Sequence, residues 1–204
     1  MFYNLNLYTM AHGTQSSTPA YFVKLLWLKE KQPVFQVSHK VDWEYKNEEC
    51  SFIEGNFESI ETGSYEWEGK PRPIFKLNLV DNKEKYILNF SFTAMSRNLL
   101  NSLCGAKELG RLRIEVRGYN KDGVDKNAIK VLNNGEKAVR GYEYEATKKL
   151  VDVITNKKWD YVSSDYSALD KFFTDQFEEI NKKKVIKEEV KSHTEEEAQE
   201  WLPF

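Results

Sequence analysis

The sequence predicts a mainly β protein, a small β-barrel with a helix between its third and fourth strands and an amphipathic helix near the C-terminus. Apolar and polar residues alternate over residues 74–80 and 86–92, as in strands with one buried face. Apolar residues at helical spacing follow between Thr93 and Gly105, and a second helical pattern begins at Ser167. The 204 residues suffice for one domain of roughly 150 residues with extensions.

Residues 1–49 are predicted to form a β elaboration packed on this barrel. Tyr21 to Leu28 is apolar on both faces, which favours a doubly buried strand, and a shorter strand begins at Pro33. The barrel then begins with a long strand, Cys50 to Glu61. Gly55 interrupts this strand and predicts a bend that lets it join both halves of the barrel.

The next elements form the centre of the predicted barrel, residues 50–165. Strands Ile74–Asp81 and Lys85–Phe92 form a hairpin, and a helix runs from its N-cap Thr93 to Gly105. The apolar stripe of this helix is Met95, Leu99, Leu100 and Leu103. The fourth strand, Arg111–Tyr119, is predicted to bury Leu112, Ile114 and Val116, and the fifth strand is Ala128–Leu132.

A long bent strand, a hairpin, a helix and two further strands follow one another in an oligonucleotide/oligosaccharide-binding (OB) barrel. The sequence therefore predicts an OB-fold, and the alternative is another small barrel or sandwich with an incidental helix. The region between the first and second barrel strands, residues 62–73, is predicted to be a loop.

The C-terminal segment divides into a helix, residues 166–183, and a flexible acidic tail, residues 184–204. Ser167 to Asp170 resembles a capping box. The apolar face of the helix is Leu169, Phe172, Phe173, Gln176, Phe177 and Ile180. This face can dock on its own barrel or on a second copy, so the protein is expected to be a monomer or a homodimer.

Charge is distributed unevenly along the chain. The formal net charge is −2, but residues 188–204 hold six glutamates and one lysine, a net charge of −5, which leaves +3 on residues 1–187. A mildly basic body with an acidic tail is compatible with binding a polyanion. No apolar run approaches the roughly 18 residues that a membrane span needs, so we expect a cytoplasmic protein that binds no membrane.

The predicted binding surface combines cations with aromatic rings, the two groups that hold single-stranded nucleic acid. Arg111, Arg113, Arg117 and Tyr119 alternate with the buried positions of the fourth strand and face outward. The remaining candidates are Tyr65, Trp67, Lys70, Arg72, Lys76, Trp43 and Lys130. For any one of them the alternative is an ordinary solvated position, but aromatic residues make up 14% of the chain, which favours stacking on bases. Binding is expected to be independent of sequence.

The end of the sequence is the most specific signal. It combines an acidic run with an apolar tip. The acidic residues are Glu195, Glu196, Glu197 and Glu200, and the tip is Trp201, Leu202, Pro203 and Phe204. In these features the chain resembles the single-stranded-DNA-binding proteins of bacteria and their phages, which carry an OB barrel and an acidic tail with a hydrophobic tip. The resemblance implies a non-enzymatic protein that coats single-stranded DNA during replication and recombination and recruits partner proteins through the tip.

The insertions before Cys50 and the helix after Ser167 depart from the usual bacterial form and suggest a bacteriophage protein. Catalysis is not expected, because His12, His39 and His193 lie far apart and no phosphate loop or metal motif is present. The sequence predicts no cofactor and no metal. The alternative function is a phage virion or host-takeover protein whose barrel is a scaffold for protein contacts.

Overall fold

A computed structural model of the protein describes residues 20–26, 33–41, 44–156 and 161–185. It is mainly β with helices at its C-terminal end, as the sequence predicts. The strands are β1 (Ala20–Leu26), β2 (Val34–Val41), β3 (Glu44–Cys50), β4 (Phe52–Trp67), β5 (Lys70–Asp81), β6 (Glu84–Ser91), β7 (Arg111–Lys121), β8 (Val124–Asn133), β9 (Glu136–Lys137), β10 (Asp152–Asn156) and β11 (Tyr161–Asp165). The helices are α1 (Ala94–Gly105), α2 (Tyr144–Lys148), α3 (Ser167–Asp175) and α4 (Phe177–Lys182).

In the described ranges nine strands form one sheet in the order β3-β2-β1-β6-β5-β4-β7-β8-β9. Neighbouring strands are antiparallel except β1 and β6, which pair in parallel, for example at Val23 and Leu88. Strands β10 and β11 form a separate antiparallel hairpin. Because β1 lies between β2 and β6, the sheet continues across residue 49, where the sequence placed the boundary of an elaboration.

The strand pairings of the described residues do not close into a barrel. β8, the predicted fifth barrel strand, pairs with β7 and β9, and the free side of β6 is taken by β1. A closed barrel needs the two edge strands of its sheet to pair with each other, and among the described residues the edge strands β3 and β9 do not pair. The element order β4, β5, β6, α1, β7, β8 agrees with the predicted order.

Strand β4 has two neighbours, as a long first strand requires, but its irregularity lies elsewhere than predicted. Residues 52–56 pair with β7 and residues 56–67 pair with β5. The register shifts between Phe57 and Ser59, which places a bulge at Glu58, three residues beyond Gly55. Gly55 is buried, and a Cβ atom there would lie 3.1 Å from the Cβ of Leu79. The glycine therefore allows close packing of two strands.

Residues 62–73, predicted to be a loop, are the paired ends of β4 and β5. Glu68 and Gly69 form the turn with φ angles of 51° and 70°, and two consecutive positive φ values are typical of the tight turns that join hairpin strands. Pro71 and Pro73 are tolerated because this part of β5 pairs with β4 alone; pairing with β6 begins at Ile74.

Helix α1 begins as predicted. The Oγ1 atom of Thr93 accepts a hydrogen bond from the Ser96 amide at 3.3 Å, and the Thr93 amide donates to the Oγ atom of Ser96 at 2.7 Å. This reciprocal pair is a capping box. The predicted apolar stripe is confirmed, since Met95, Leu99, Leu100 and Leu103 are all buried.

The predicted C-terminal helix is interrupted at Gln176, which separates α3 from α4. Its predicted capping box is wrong: Asp165 accepts hydrogen bonds from the amide and hydroxyl of Ser167, while Asp170 binds Arg97 on α1. The apolar face is confirmed, and its buried members are Leu169, Phe173, Phe177 and Ile180. The helix docks on its own sheet, where the side chain of Asn181 bonds to both the amide and the carbonyl of Ile60 at 2.7 and 2.9 Å.

One hydrophobic core lies between the inner face of the sheet and helices α1, α3 and α4. The largest side chains that are almost fully buried include Phe35, Phe75, Phe173, Leu77, Leu88, Leu99 and Leu112. The predicted inward positions of β7, which are Leu112, Ile114 and Val116, belong to this core. Alternate residues of the same strands face outward, and they form the surfaces described next.

Candidate nucleic-acid interface

The distal half of the β4–β5 hairpin presents two aromatic rings and two cations on one face. In its register Tyr65 is opposite Arg72 and Trp67 is opposite Lys70. Directly opposed residues of an antiparallel pair lie on the same face, and residues two apart on one strand share that face. All four side chains therefore project from the same side of the hairpin. We call these four residues the hairpin face.

The side chains of the hairpin face are available for contact. Trp67 is 57% exposed and Tyr65 is 43% exposed, and neither Lys70 nor Arg72 forms an ion pair with any residue that the structure describes. The opposite side of the hairpin carries Ser64, Glu66, Pro71 and Pro73. The only carboxylate of these eight paired positions thus points away from the hairpin face.

The same surface continues down the sheet towards β1. Below Tyr65 the next row of paired residues is Gly63, Ile74 and Ser91, and the row below that is Glu61, Lys76, Asn89 and Lys24. Lys76 passes close to Gly63, because a Cβ atom on this glycine would lie 3.2 Å from the Cε atom of Lys76. Lys24 and Lys76 extend the cationic surface, and within the described ranges neither forms an ion pair.

The structure places Arg111 and Arg113 in a network of ion pairs. Arg111 donates to Glu54 at 2.6 Å and to Asp81 at 2.7 Å. Arg113 donates to Glu115 at 2.8 Å and stacks its guanidinium 3.7 Å above the ring centre of Phe52. Lys130 also approaches Glu115, at 3.4 Å. Three cations and three carboxylates make this network neutral.

The charge pairing in this network is reflected in the pKa values of its members. Hydrogen bonds to Asp81 and Glu54 raise the pKa of the Arg111 guanidinium. Burial opposes ionisation of Glu115, but the hydrogen bonds from Arg113 and Lys130 outweigh it and hold the pKa of that carboxyl below its ordinary value. Arg111, Arg113 and Lys130 are therefore less available to a phosphate than the sequence suggested, because a phosphate would have to displace carboxylates already in contact.

Arg117 and Tyr119 face outward from β7, as predicted, but they lie far from the hairpin face. Phe52, the first residue of β4, pairs with Glu115, and β7 runs on from there in the direction away from Trp67. The 16 residues of β4 correspond to about 50 Å of strand. Arg117 and Tyr119 therefore belong to the β7–β8 hairpin at the opposite end of the sheet.

The predicted candidates therefore fall into three groups. The hairpin face and Lys76 lie together, Arg111, Arg113 and Lys130 form the neutral network, and Arg117 and Tyr119 lie beyond it. Trp43 and the tail candidates, which are Glu195, Glu196, Glu197, Glu200, Trp201, Leu202, Pro203 and Phe204, lie outside the described residues. Sequence reasoning missed Lys24 and Asn89, because they join this surface only through the parallel pairing of β1 with β6.

In the part of the chain that the structure describes, no helix has the length and apolar composition needed to cross a membrane. Likewise, among those residues no three His, Cys, Asp or Glu side chains converge in a way that could hold a metal ion. Comparison of the chain with protein-family models, with curated proteins and with solved structures finds no match.

Proposed function

We propose that the protein binds single-stranded DNA, with the hairpin face as its main contact. The observation that carries this proposal is the position of Tyr65, Trp67, Lys70 and Arg72 on one side of a projecting hairpin. Among the paired residues 64–67 and 70–73 the only carboxylate, Glu66, points the other way. Exposed rings provide stacking platforms for bases, and unpaired cations attract phosphates, which is the combination that single-strand binding requires.

The strand would stack bases on Trp67 and Tyr65 while its phosphates pass Lys70 and Arg72. Stacking on an aromatic ring contributes about 1–3 kcal/mol per base and tolerates any base. Further along, Lys76 and Lys24 continue the cationic path across β5, β6 and β1. The protein contacts the strand through rings and cations. It would therefore coat a single strand without reading an extended sequence.

The wider role we propose is the protection of single strands in phage replication or recombination, in the host cytoplasm, with the acidic tail and its Trp201–Phe204 tip recruiting replication proteins. The order of β4, β5, β6, α1, β7 and β8 supports an OB-type arrangement. The acidic tail of residues 188–204 supports the likeness to single-stranded-DNA-binding proteins. No catalytic step is part of the proposal.

Fluorescence titration with oligo-dT over a range of salt concentrations tests this function. Binding should quench tryptophan emission, and log K should fall linearly with log salt. Four phosphate contacts, one each for Lys70, Arg72, Lys76 and Lys24, predict a slope of about −3 for a single strand. The absence of quenching and of measurable affinity at low salt would reject the proposal.

A second candidate is a scaffold for protein contacts, and one observation favours it. The β10–β11 hairpin carries apolar side chains that are unusually exposed, with Val153 at 69%, Val162 at 64% and Ile154 at 49%. Val153 and Val162 lie on the same face of this hairpin, and exposed apolar patches mark protein–protein contacts. This function predicts no response of tryptophan fluorescence to oligo-dT, so the same titration separates the two candidates.

A further inference from the structure

A cavity of about 490 Å³ lies directly beside the hairpin face. Its lining includes Tyr65, Ile74, Asn89, Ser91 and Lys24, which come from four neighbouring strands, together with Leu25, Leu26, Phe90 and Thr93. The volume falls within the roughly 300–1,000 Å³ of small-ligand pockets. The cavity therefore needs an explanation of its own, separate from the stacking surface on Trp67.

The register of the sheet explains why a depression forms here. Ile74 is followed in its row by Ser91, whose side chain is small, whereas the side chains of Ile74 and Lys76 fill the space above Gly63 on the other side. In the adjacent rows Tyr65 and Asn89 carry larger side chains. The result is an apolar floor at Ile74 with a ring at one wall and polar groups at the other.

The lining suits a flat heterocycle with a polar edge. Ile74 and Tyr65 offer apolar and aromatic surface to the faces of a ring, whereas the Asn89 amide and the Ser91 hydroxyl can each donate and accept hydrogen bonds. Lys24 at the cavity and Lys76 beside Gly63 are cations without an ion pair among the described residues. They are placed for the phosphates on either side of such a ring.

The cavity also lies on the path of a bound strand. Tyr65 is on β4 and Lys24 is on β1, three strand spacings apart, or about 14 Å. A strand that stacks on Trp67 and Tyr65 and continues towards Lys24 must cross the cavity. Its occupant would therefore be a base of the same strand that the hairpin face holds.

We infer that this cavity is a base pocket, in which one unstacked base of the bound strand inserts beside Tyr65 and presents its edge to Asn89 and Ser91. The inference rests on the proposed function, since it needs a single strand on the hairpin face. A base pocket would make the proposed single-strand binding selective among bases. Single-strand readers commonly splay out individual bases and hydrogen-bond their edges, and stacking alone would treat all bases alike.

The test compares the affinity of the full chain for oligo-dA, oligo-dC and oligo-dT of equal length. One hydrogen-bonded base predicts at least a fivefold spread between the tightest and the weakest of the three, on the order of one good edge contact. Ser91→Phe fills the cavity with a ring and should reduce the spread to within about twofold while stacking on Trp67 is retained. Asn89→Ala, a smaller change, should reduce the spread in the same direction.

Ser64→Phe is the matched control, because Ser64 lies next to Tyr65 but on the other side of the hairpin. It should leave the spread unchanged. Equal affinities of the wild-type protein for the three oligonucleotides would overturn the base pocket and leave the proposed function intact. A spread that persists in both Ser91→Phe and Asn89→Ala would also overturn it, and the absence of binding to all three would reject both proposals.

Discussion

Trp67 lies in the last pair of β4 before the turn, where its ring has no role in the core. It is 57% exposed and opposite Lys70. An exposed ring of this size gains little for folding, because most of its surface stays in water in the folded state. The proposed function gives this ring a role in binding, unlike aromatic residues such as Phe75 and Phe90, which stack on each other in the core with ring centres 5.2 Å apart.

Replacement of Trp67 by alanine should weaken binding to oligo-dT by about five- to a hundredfold, the loss of one stacked base. The unfolding midpoint in urea should stay close to that of the wild-type protein. Trp67→Phe keeps a ring and should recover most of the affinity. Tyr144→Ala provides a control at a residue that is 64% exposed and lies on α2; a loss equal to that of Trp67→Ala would show that the effect is not specific to the hairpin face.

The thiol of Cys104 gives the fold a dependence on alkaline pH. Burial raises the pKa of this thiol from 9.0 to about 11, so the folded state retains its proton more strongly than the unfolded state does. This thiol therefore does not change the free energy of unfolding below pH 9, and it lowers that free energy as the pH rises towards 11. Tyr86 acts in the same direction at higher pH, because burial and a hydrogen bond to Glu84 raise its pKa to about 12.

Urea unfolding at pH 8 and at pH 10 measures this effect. Ionisation of Cys104 should lower the unfolding free energy of the wild-type protein by about 1–2 kcal/mol over its titration. This is less than the roughly 3 kcal/mol that the full pKa difference implies, because water reaches the half-buried thiol. Cys104→Ala should lose less stability than wild type between the two pH values. An equal loss in both proteins would show that Cys104 is not the group responsible.

At the scale of elements, a mostly buried ion pair joins α1 to α3. Arg97 donates two hydrogen bonds to Asp170, at 2.6 and 2.9 Å, and its guanidinium lies 4.2 Å from the centre of the Tyr166 ring. The two charged side chains are only 13% and 21% exposed. A pair with two bonds and little solvent contributes more than a surface pair does.

Asp170→Asn should therefore destabilise the fold by about 1.5–3 kcal/mol, because the guanidinium of Arg97 loses its charged partner in a mostly dry site. Asp175→Asn is the matched control on the same helix. Asp175 pairs with Lys171 in a bridge whose side chains are 55% and 74% exposed, and its loss should change the unfolding free energy by less than about 0.5 kcal/mol. Similar effects of the two substitutions in urea unfolding would contradict the proposed importance of the α1–α3 contact.

Sequence patterns predicted the elements that contacts between neighbouring residues determine. They failed where the residue types fit a loop as well as a strand. Thr93 and Ser96 form the N-terminal cap of α1 through contacts within four residues, so the start of that helix could be predicted. Residues 62–73 contain two prolines and several polar residues, which favoured a loop, but pairing along the whole hairpin determines their structure. The gathering of Tyr65, Trp67, Lys70 and Arg72 was predicted, whereas the hairpin that places them on one face was not.

At the scale of the whole molecule, the long-range pairings decide what the surface can do. The parallel contact of β1 with β6 brings Lys24 beside Asn89. No local sequence pattern predicts a contact between strands some 65 residues apart. The same limit applies to the arginines of β7. Their outward direction follows from the alternation of apolar and polar residues along β7. Their partners Glu54 and Asp81 come from β4 and β5, so the neutral network could not be predicted.

Deletion of residues 188–204 tests the tail as part of the whole molecule. It removes a net charge of −5 and leaves the described fold in place. If these carboxylates compete with phosphates for the cationic surface, the truncated protein should bind oligo-dT more tightly at low salt, and the difference should shrink as salt screens the charges. A replacement of the six glutamates by glutamine should reproduce the effect; weaker binding after either change would contradict competition by the tail.

The most direct measurement compares charge reversal at the two ends of the sheet. Lys70→Glu with Arg72→Glu changes the hairpin face, and Arg117→Glu with Lys126→Glu makes the same change in charge on the β7–β8 hairpin, where Lys126 is opposite Tyr119. At fixed low salt, the first pair should weaken binding to oligo-dT by more than about tenfold and the second by less than about threefold. An equal or larger loss from the second pair would contradict the assignment of single-strand binding to the β4–β5 hairpin.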